Sequence, residues 1–250
     1  MLQTLSRRFV LPLALITASL GSLSLQNASA AQLVPFTASY AAEMKKVPVN
    51  GEANHSLSAN ADGSWNLNFT AGLFVARLTE ESTLRADNGQ LRPLTYRYDR
   101  RGLGRSRSDK LDFHWDQSRV SGKYKDRSVD LPLESGLLDK TTYQLALQQD
   151  LAAGKQEMHY RVVDGDTVDD YHFRVVGEKR VTTRVGQFNA VEVERVRDAD
   201  AKRQTTLWFA PDWQYLLVRL TQVETDGQDY QIMLKEASID GQPVIGEQPK

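Results

Sequence analysis

The sequence predicts an all-β, mainly antiparallel fold: a long curved sheet forming an open or spiral barrel-like structure, with one amphipathic helix. Three observations lead there. Asn50-Gly51, Asp62-Gly63, Asn88-Gly89, Asp164-Gly165, Asp226-Gly227 and Asp240-Gly241 punctuate the chain, and such pairs accept the positive φ of tight hairpin turns. Between them, apolar residues alternate with polar ones, the period of a strand with one wet face. A single stretch, Leu138–Gly154, has helical spacing instead.

Residues 1–30 stand apart. Arg7 and Arg8 precede an apolar run, Phe9–Leu25, and then Ala28-Ser29-Ala30. A basic start, an apolar middle and small residues before the cut make a secretory signal peptide, cleaved near Ala30–Ala31. Pro12, Thr17, Ser19, Gly21, Ser22 and Ser24 interrupt the run, so it is too polar for a membrane span. The arginine pair loosely fits a twin-arginine leader. The ordinary secretory route suits a chain that calls for no cofactor. Residues 31–250 are then expected to work in the periplasm as a single β-rich domain, with no stable membrane span after cleavage.

Losing Arg7 and Arg8 takes the net charge from −1 to −3. A mildly acidic, mixed surface argues against a nucleic-acid partner. The chain has no cysteine, which removes thiol chemistry, disulfides and Cys-ligated metal. No cofactor is expected.

The first β part covers residues 33–135. Phe36, Ala38, Tyr40 and Ala42 share one parity, as do Trp65, Leu67, Phe69 and Ala71, and later Leu111, Phe113 and Trp115. Such strands belong to antiparallel sheets. The helix is expected over 138–153. Thr141 would cap it with Gln144 reaching back, Tyr143, Leu147 and Leu151 would form its stripe, and Gly154 would end it. It would pack on the apolar face and plug the hollow. The second β part covers 156–240, through Tyr171/Phe173/Val175, Thr205/Leu207/Phe209 and Tyr230/Ile232/Leu234. Ala31–Pro35 and Gln242–Lys250 read as frayed ends.

Two hairpins can be aligned by arithmetic. With Gly165 and Asp166 central, Tyr160 faces Tyr171, Arg161 faces Asp170, Val163 faces Val168 and His159 faces His172. Aromatic and opposite-charge pairs are what cross-strand energetics favours. About Asp226-Gly227, Val223 would face Tyr230 and Thr221 would face Ile232.

Candidate chemistry is sparse. His159 and His172, with Asp170 diagonal, are weak metal candidates, because a site needs three or four ligands. They read as exposed histidines of a hairpin. Asp164–Asp170 mimics a calcium loop but has Val168 and Val175 where acids belong. Arg97, Arg100, Arg101, Arg105 and Arg107, interleaved with Tyr96 and Tyr98, make the basic patch, suited to a phospholipid or lipopolysaccharide head group. Gly102-Leu103-Gly104 opens no helix, so it says nothing about nucleotides. Ser121-Gly122 and Ser135-Gly136 lack a nucleophile elbow. Glu80-Glu81 and Asp169-Asp170 would point to opposite faces of a strand.

Gly186-Gln187-Phe188-Asn189-Ala190-Val191-Glu192-Val193, then Thr206-Leu207-Trp208-Phe209-Ala210-Pro211 and Tyr215-Leu216-Leu217-Val218-Arg219, carry a resemblance. With Pro93, Tyr96, Trp115, Leu138-Asp139, Gly154, Asp164-Gly165 and Tyr171, the chain resembles the exported bacterial family called domain of unknown function 3108. Leu217 stands where that family has a proline, and Thr141-Thr142 replaces a serine-containing helix start. The resemblance implies an exported antiparallel β fold without established activity, and no catalytic residues to carry over. The expectation is a non-enzymatic binding or envelope-maintenance protein with a lipid or amphiphile ligand. A structural module meeting an envelope protein along a strand edge is the alternative. A perturbed carboxylate or histidine in a cleft would favour a hydrolase.

Overall fold

The computed structural model describes residues 33–44, 47–73, 76–102, 104, 106–197, 201 and 203–248. Residues 1–30, expected from sequence to be a signal peptide, lie outside them. The order is β1 (Phe36–Met44), β2 (Val47–Ala59), β3 (Trp65–Leu73), β4 (Ala76–Asp87), β5 (Gln90–Gly102), β6 (Arg107–His114), β7 (Arg119–Tyr124), β8 (Arg127–Pro132), β9 (Leu138–Asp139) and α1 (Thr142–Ala152). Then come β10 (Glu157–Asp164), β11 (Thr167–Thr183), β12 (Gly186–Val196), β13 (Gln204–Ala210), β14 (Leu216–Val223), β15 (Asp229–Ile239) and β16 (Gln242–Pro243). A one-turn 3₁₀ helix, Pro211–Trp213, joins β13 to β14.

All sixteen strands form one sheet, ordered β8-β7-β6-β5-β4-β3-β2-β1-β15-β14-β13-β12-β11-β10-β9, with β16 beside β15. β1 is the hinge of the design. One meander runs outward from it to β8, and a second runs outward through β15 to β10. Pairing is antiparallel except at β9–β10. The sheet is not closed, because β8 and β9 do not pair. It coils nonetheless. Leu57 of β2, Leu84 of β4, Leu145 and Leu147 of α1, Phe173 of β11 and Leu234 of β15 meet in one buried cluster.

Register explains the inward face, since directly paired residues share a side. One row runs Phe36–Leu57–Leu67–Ser82–Tyr96–Leu111 across β1 to β6. The next runs Ala38–His55–Phe69–Glu80–Tyr98–Asp109, and the third Tyr40–Ala53–Ala71–Leu78–Arg100–Arg107. The second and third rows pass from apolar to polar as they approach β6, whereas the first stays mainly apolar through Leu111 to Val129.

The edges meet through side chains instead of ladder bonds. Leu111, Val120 and Val129 pack with Leu133, Leu137 and Val163 in a second buried cluster. Arg127 pairs with Asp166 at 2.6 Å, and Arg161 with Glu134. Trp115 Nε1 donates to the Pro93 carbonyl at 2.7 Å.

Several local expectations are met and several are corrected. The β10–β11 register matches, with Tyr160 on Tyr171, Arg161 on Asp170 and His159 on His172. The β14–β15 register slips by one: Thr221 faces Gln231 and Leu220 faces Ile232. Only Gly227 has positive φ there, so the turn is not the two-residue type that needs it at both centres. Asn50-Gly51 is no turn either. It lies inside β2, with Gly51 opposite Ala42, and the last β1–β2 pair is Met44 with Val47.

The helix is shorter than 138–153, because Leu138-Asp139 forms β9. Thr141 does not cap it, and Gln144 bonds the Lys140 carbonyl. Asp139 does the capping: its Oδ1 accepts both the Thr141 and Thr142 amides at 2.8 Å. The buried positions are Thr142, Leu145, Leu147 and Leu151. A helix enclosed by a coiled sheet needs no single stripe. Among the described residues of the two ends, 33–35 and 242–248, neither end is frayed as read; residues 31–32 and 249–250 lie outside them. Leu33 is buried and the Pro35 carbonyl accepts the Asp240 amide at 2.9 Å. Val244 is buried, and Gln187 and Glu247 exchange backbone bonds at 2.8 and 2.9 Å. The tail lies so close that a Cβ on Gly186 would stand 2.6 Å from the Gly246 carbonyl carbon.

Candidate functional site

Two regions of the interior differ in character. Toward α1 the inward rows are filled by large apolar side chains. Toward the turns joining β1–β2 and β3–β4 they are small, Ala42, Gly51, Ala53 and Ala71 among them. The shortage of side-chain volume leaves a hollow of about 270 Å³, lined mainly by Ala42, Ala71, Ala76, Leu78, Ile232 and Arg100. Arg77 and Arg100 are exposed at its rim. Neither takes part in an ion pair with another of the described residues.

The predicted basic patch divides. Arg97 contacts Asp112 at 3.4 Å, and Arg101 contacts Asp99 at 2.8 Å. Arg107 pairs with the buried Asp109 and lies between the Tyr98 and Tyr124 rings, 4.7 and 4.5 Å from their centres. Those three are largely committed to the protein itself. Arg105 lies outside the described residues. Arg100 is the member that faces inward with its charge unspent.

Around the start of α1 is a polar belt that sequence reading missed. Asp139, fully buried, accepts the hydroxyls of Thr141 at 2.9 Å and Thr142 at 2.8 Å in addition to their amides. Ser82 of β4 bonds Thr141. Lys140 pairs with Asp164 at 3.1 Å, and the Tyr171 hydroxyl donates to Asp164 at 2.9 Å. Tyr96 donates to Glu80 at 2.6 Å. Burial would raise the Asp164 carboxyl, but Lys140 and Tyr171 hold it below the ordinary range. Burial raises Glu80 despite its bond from Tyr96.

Arginines stand opposite. The Arg195 guanidinium lies 3.5 Å from the Tyr171 ring centre. Arg197 carries a buried Nε without a hydrogen-bond partner. Burial, and then Arg195 and Arg203, depress it. Tyr143, within electrostatic reach of Glu80, Asp164, Arg195 and Arg197, is pushed up to about 12, chiefly by burial. These residues had a signal in the sequence. Glu80 sits at the parity of Leu78 and Leu84, and Arg195 at that of Val193. A charge at an inward parity position marks the interior polar site.

The remaining candidates are settled by their surroundings. His55 is buried between Phe36 and Phe69, at 5.1 and 6.0 Å between ring centres, and burial lowers it to about 4. It is a neutral core histidine. His114 Nε2 and Ser121 Oγ are 2.9 Å apart. Asp112, two residues before His114, is spent on Arg97 and Lys110. Glu80 and Glu81 face opposite sides, since Glu81 pairs with Asn68 and Glu80 with Phe69.

Glu80 yields a pH prediction. Its folded carboxyl takes a proton more readily than the unfolded one, so its favourable contribution fades as pH rises through the folded value. Glu80→Gln is expected to melt higher than the wild type at pH 7, with the difference gone near pH ~4. Thermal melts across that range decide it. Equal melting temperatures at every pH would show that burial does not strain this carboxylate.

The shell of coiled antiparallel strands, with its helix plug and unclosed sheet, defines an open, barrel-like β protein. The chain belongs to the family described as "Protein of unknown function (DUF3108)", whose model matches residues 39–235. Among solved structures it is similar to a β-barrel-like protein of domain of unknown function DUF1849 from Brucella abortus. The TM-score is 0.56 at 13% identity, covering 83% of this chain and 98% of that one. A crystallised complex of MucB with MucA(peri) matches at TM-score 0.31 and 16% identity, over 87% of this chain and 52% of that one. No curated protein matches the chain. Among the described residues no helix is long and apolar enough to cross a membrane.

Proposed function

We propose that this protein is exported to the periplasm and there binds an anionic amphiphile without transforming it. The apolar chain enters the hollow at Ala42, Ala71, Leu78 and Ile232, and the anionic head meets Arg100 at its rim. The observation that carries this reading is the hollow itself: an apolar cavity built by a run of small inward residues and rimmed by uncommitted arginines. Its ~270 Å³ falls just below the usual ~300–1,000 Å³ of ligand pockets, which suits one acyl chain and not a multi-chain lipid.

Filling the hollow tests it. Ala71→Trp is expected to weaken binding of a dansyl-labelled fatty acid at least about tenfold, with the circular dichroism spectrum unchanged. Arg100→Ala is expected to weaken the anionic probe several-fold and leave its methyl ester unaffected. Undiminished binding by Ala71→Trp would remove the hollow from the function. N-terminal sequencing of the periplasmic fraction checks export, with cleavage expected near Ala30–Ala31.

Glu80, a perturbed carboxylate two residues along β4 from Leu78, favours a second reading as a hydrolase. Turnover of an amphiphile ester that Glu80→Gln abolishes would replace binding by catalysis. A partner-binding module along the free edge has less support. Arg127, Asp130 and Pro132 on β8 are features that discourage edge pairing.

A further inference from the structure

Outside the hollow, the most developed group of ligand-type side chains lies on the convex face of the β10–β11 hairpin. We propose that Glu157, His159 and His172 form a binding site for a divalent transition metal of borderline softness, Zn²⁺ foremost. Two imidazoles and one carboxylate are a donor set that zinc takes in open, three-ligand sites.

The backbone places the histidines. β10 and β11 are joined by a two-residue turn, with Asp164 opposite Thr167 as the closing pair. Hydrogen-bonded and non-hydrogen-bonded pairs alternate outward from such a pair. His159 and His172 fall on a non-hydrogen-bonded one, where opposed side chains stand closest. Their rings are 4.0 Å apart and within 16° of parallel. Glu157 lies two residues before His159 on the same face, and its carboxylate meets His172 Nε2. The three ligand atoms all lie within 4.8 Å of one another. Two nitrogens on a tetrahedral zinc stand about 3.3 Å apart, a separation that small side-chain rotations reach.

The surroundings keep the cluster available. Arg161, two pairs toward the turn, is engaged by Glu134, and Arg174, two pairs away from it and opposite Glu157, by Glu194. Neither flanking cation is left to repel an ion or to compete for Glu157. Asp170, the acid expected from sequence, is opposite Arg161 and outside the group. Glu157 takes its place. Three protein ligands leave a coordination position for water or an external donor.

The test uses tag-free, chelator-stripped protein titrated with Zn²⁺ by calorimetry and with Co²⁺ by visible absorption. One equivalent is expected to bind, with cobalt bands typical of low coordination number. His159→Ala and His172→Ala are each expected to lower affinity about tenfold or more, and Glu157→Gln by less. The sites are exposed or half-buried, so unchanged circular dichroism should accompany each loss. No saturable binding by the wild type, or equal binding by the His159→Ala/His172→Ala double variant, overturns the proposal.

Discussion

Asp139→Ala is expected to lower the unfolding free energy by roughly 3–5 kcal/mol and the melting temperature by about 10 °C. Asp139 is the node through which the helix, β9 and β4 are joined. Its carboxylate receives the amides and hydroxyls of both Thr141 and Thr142, and Thr141 in turn bonds Ser82. Removing it strands two amides and the Thr142 hydroxyl in a site without solvent, and each buried unpaired group costs about 1–3 kcal/mol. It also removes the helix cap, worth about 1 kcal/mol. Asp139→Asn keeps the Oδ1 acceptor for the amides but offers an NH₂ where the Thr142 hydroxyl must donate, so an intermediate loss is expected. Urea denaturation of the three proteins checks the order. An alanine variant within about 0.5 kcal/mol of the wild type would show that the network does not tie the sheet's edges together.

Gly122→Ala is the second large effect, expected to cost about 3 kcal/mol or more. Gly122 has φ +155 and lies between Leu111 and Val129 in the first inward row. A Cβ there would overlap the Lys110 carbonyl oxygen and stand 2.9 Å from the Leu111 Cα. Both obstacles are backbone, so neither can rotate away. The strand would have to leave its partner, and Val120 and Val129 would leave the cluster that closes the barrel's edges. Lys123→Ala, on the exposed next residue, is expected to change stability by less than about 0.5 kcal/mol. Thermal melts of the pair separate a local clash from a general weakness of β7. Equal melting temperatures would mean that this edge is not needed for the fold.

Much of the site was readable from parity, and the rest was not, for identifiable reasons. The His159/His172 pairing followed from one turn, because a two-residue hairpin fixes every pair beyond it. The third donor did not follow, because both diagonals of a cross-strand pair are near and only the conformer of Glu157 selects one. Arg100 was named with four other arginines. Which of them is uncommitted depends on Asp99 and Asp109, which take arginines two residues away on their own strands, and on Asp112, which takes Arg97 across strands. The Asp226-Gly227 register failed by one residue, because the same dipeptide serves turns of different length.

By itself the sequence determined the strands, their antiparallel pairing and the presence of one helix, since alternation and turn chemistry act over a few residues. It also determined that no thiol takes part. Only the tertiary structure decided that the two meanders join at β1 and β15, and that their far edges meet over Val163 and Leu133. It alone decided that small residues from β1, β2 and β3 line up to leave a space. Those outcomes depend on how a long sheet coils, a sum of many small twists that brings together residues more than a hundred positions apart.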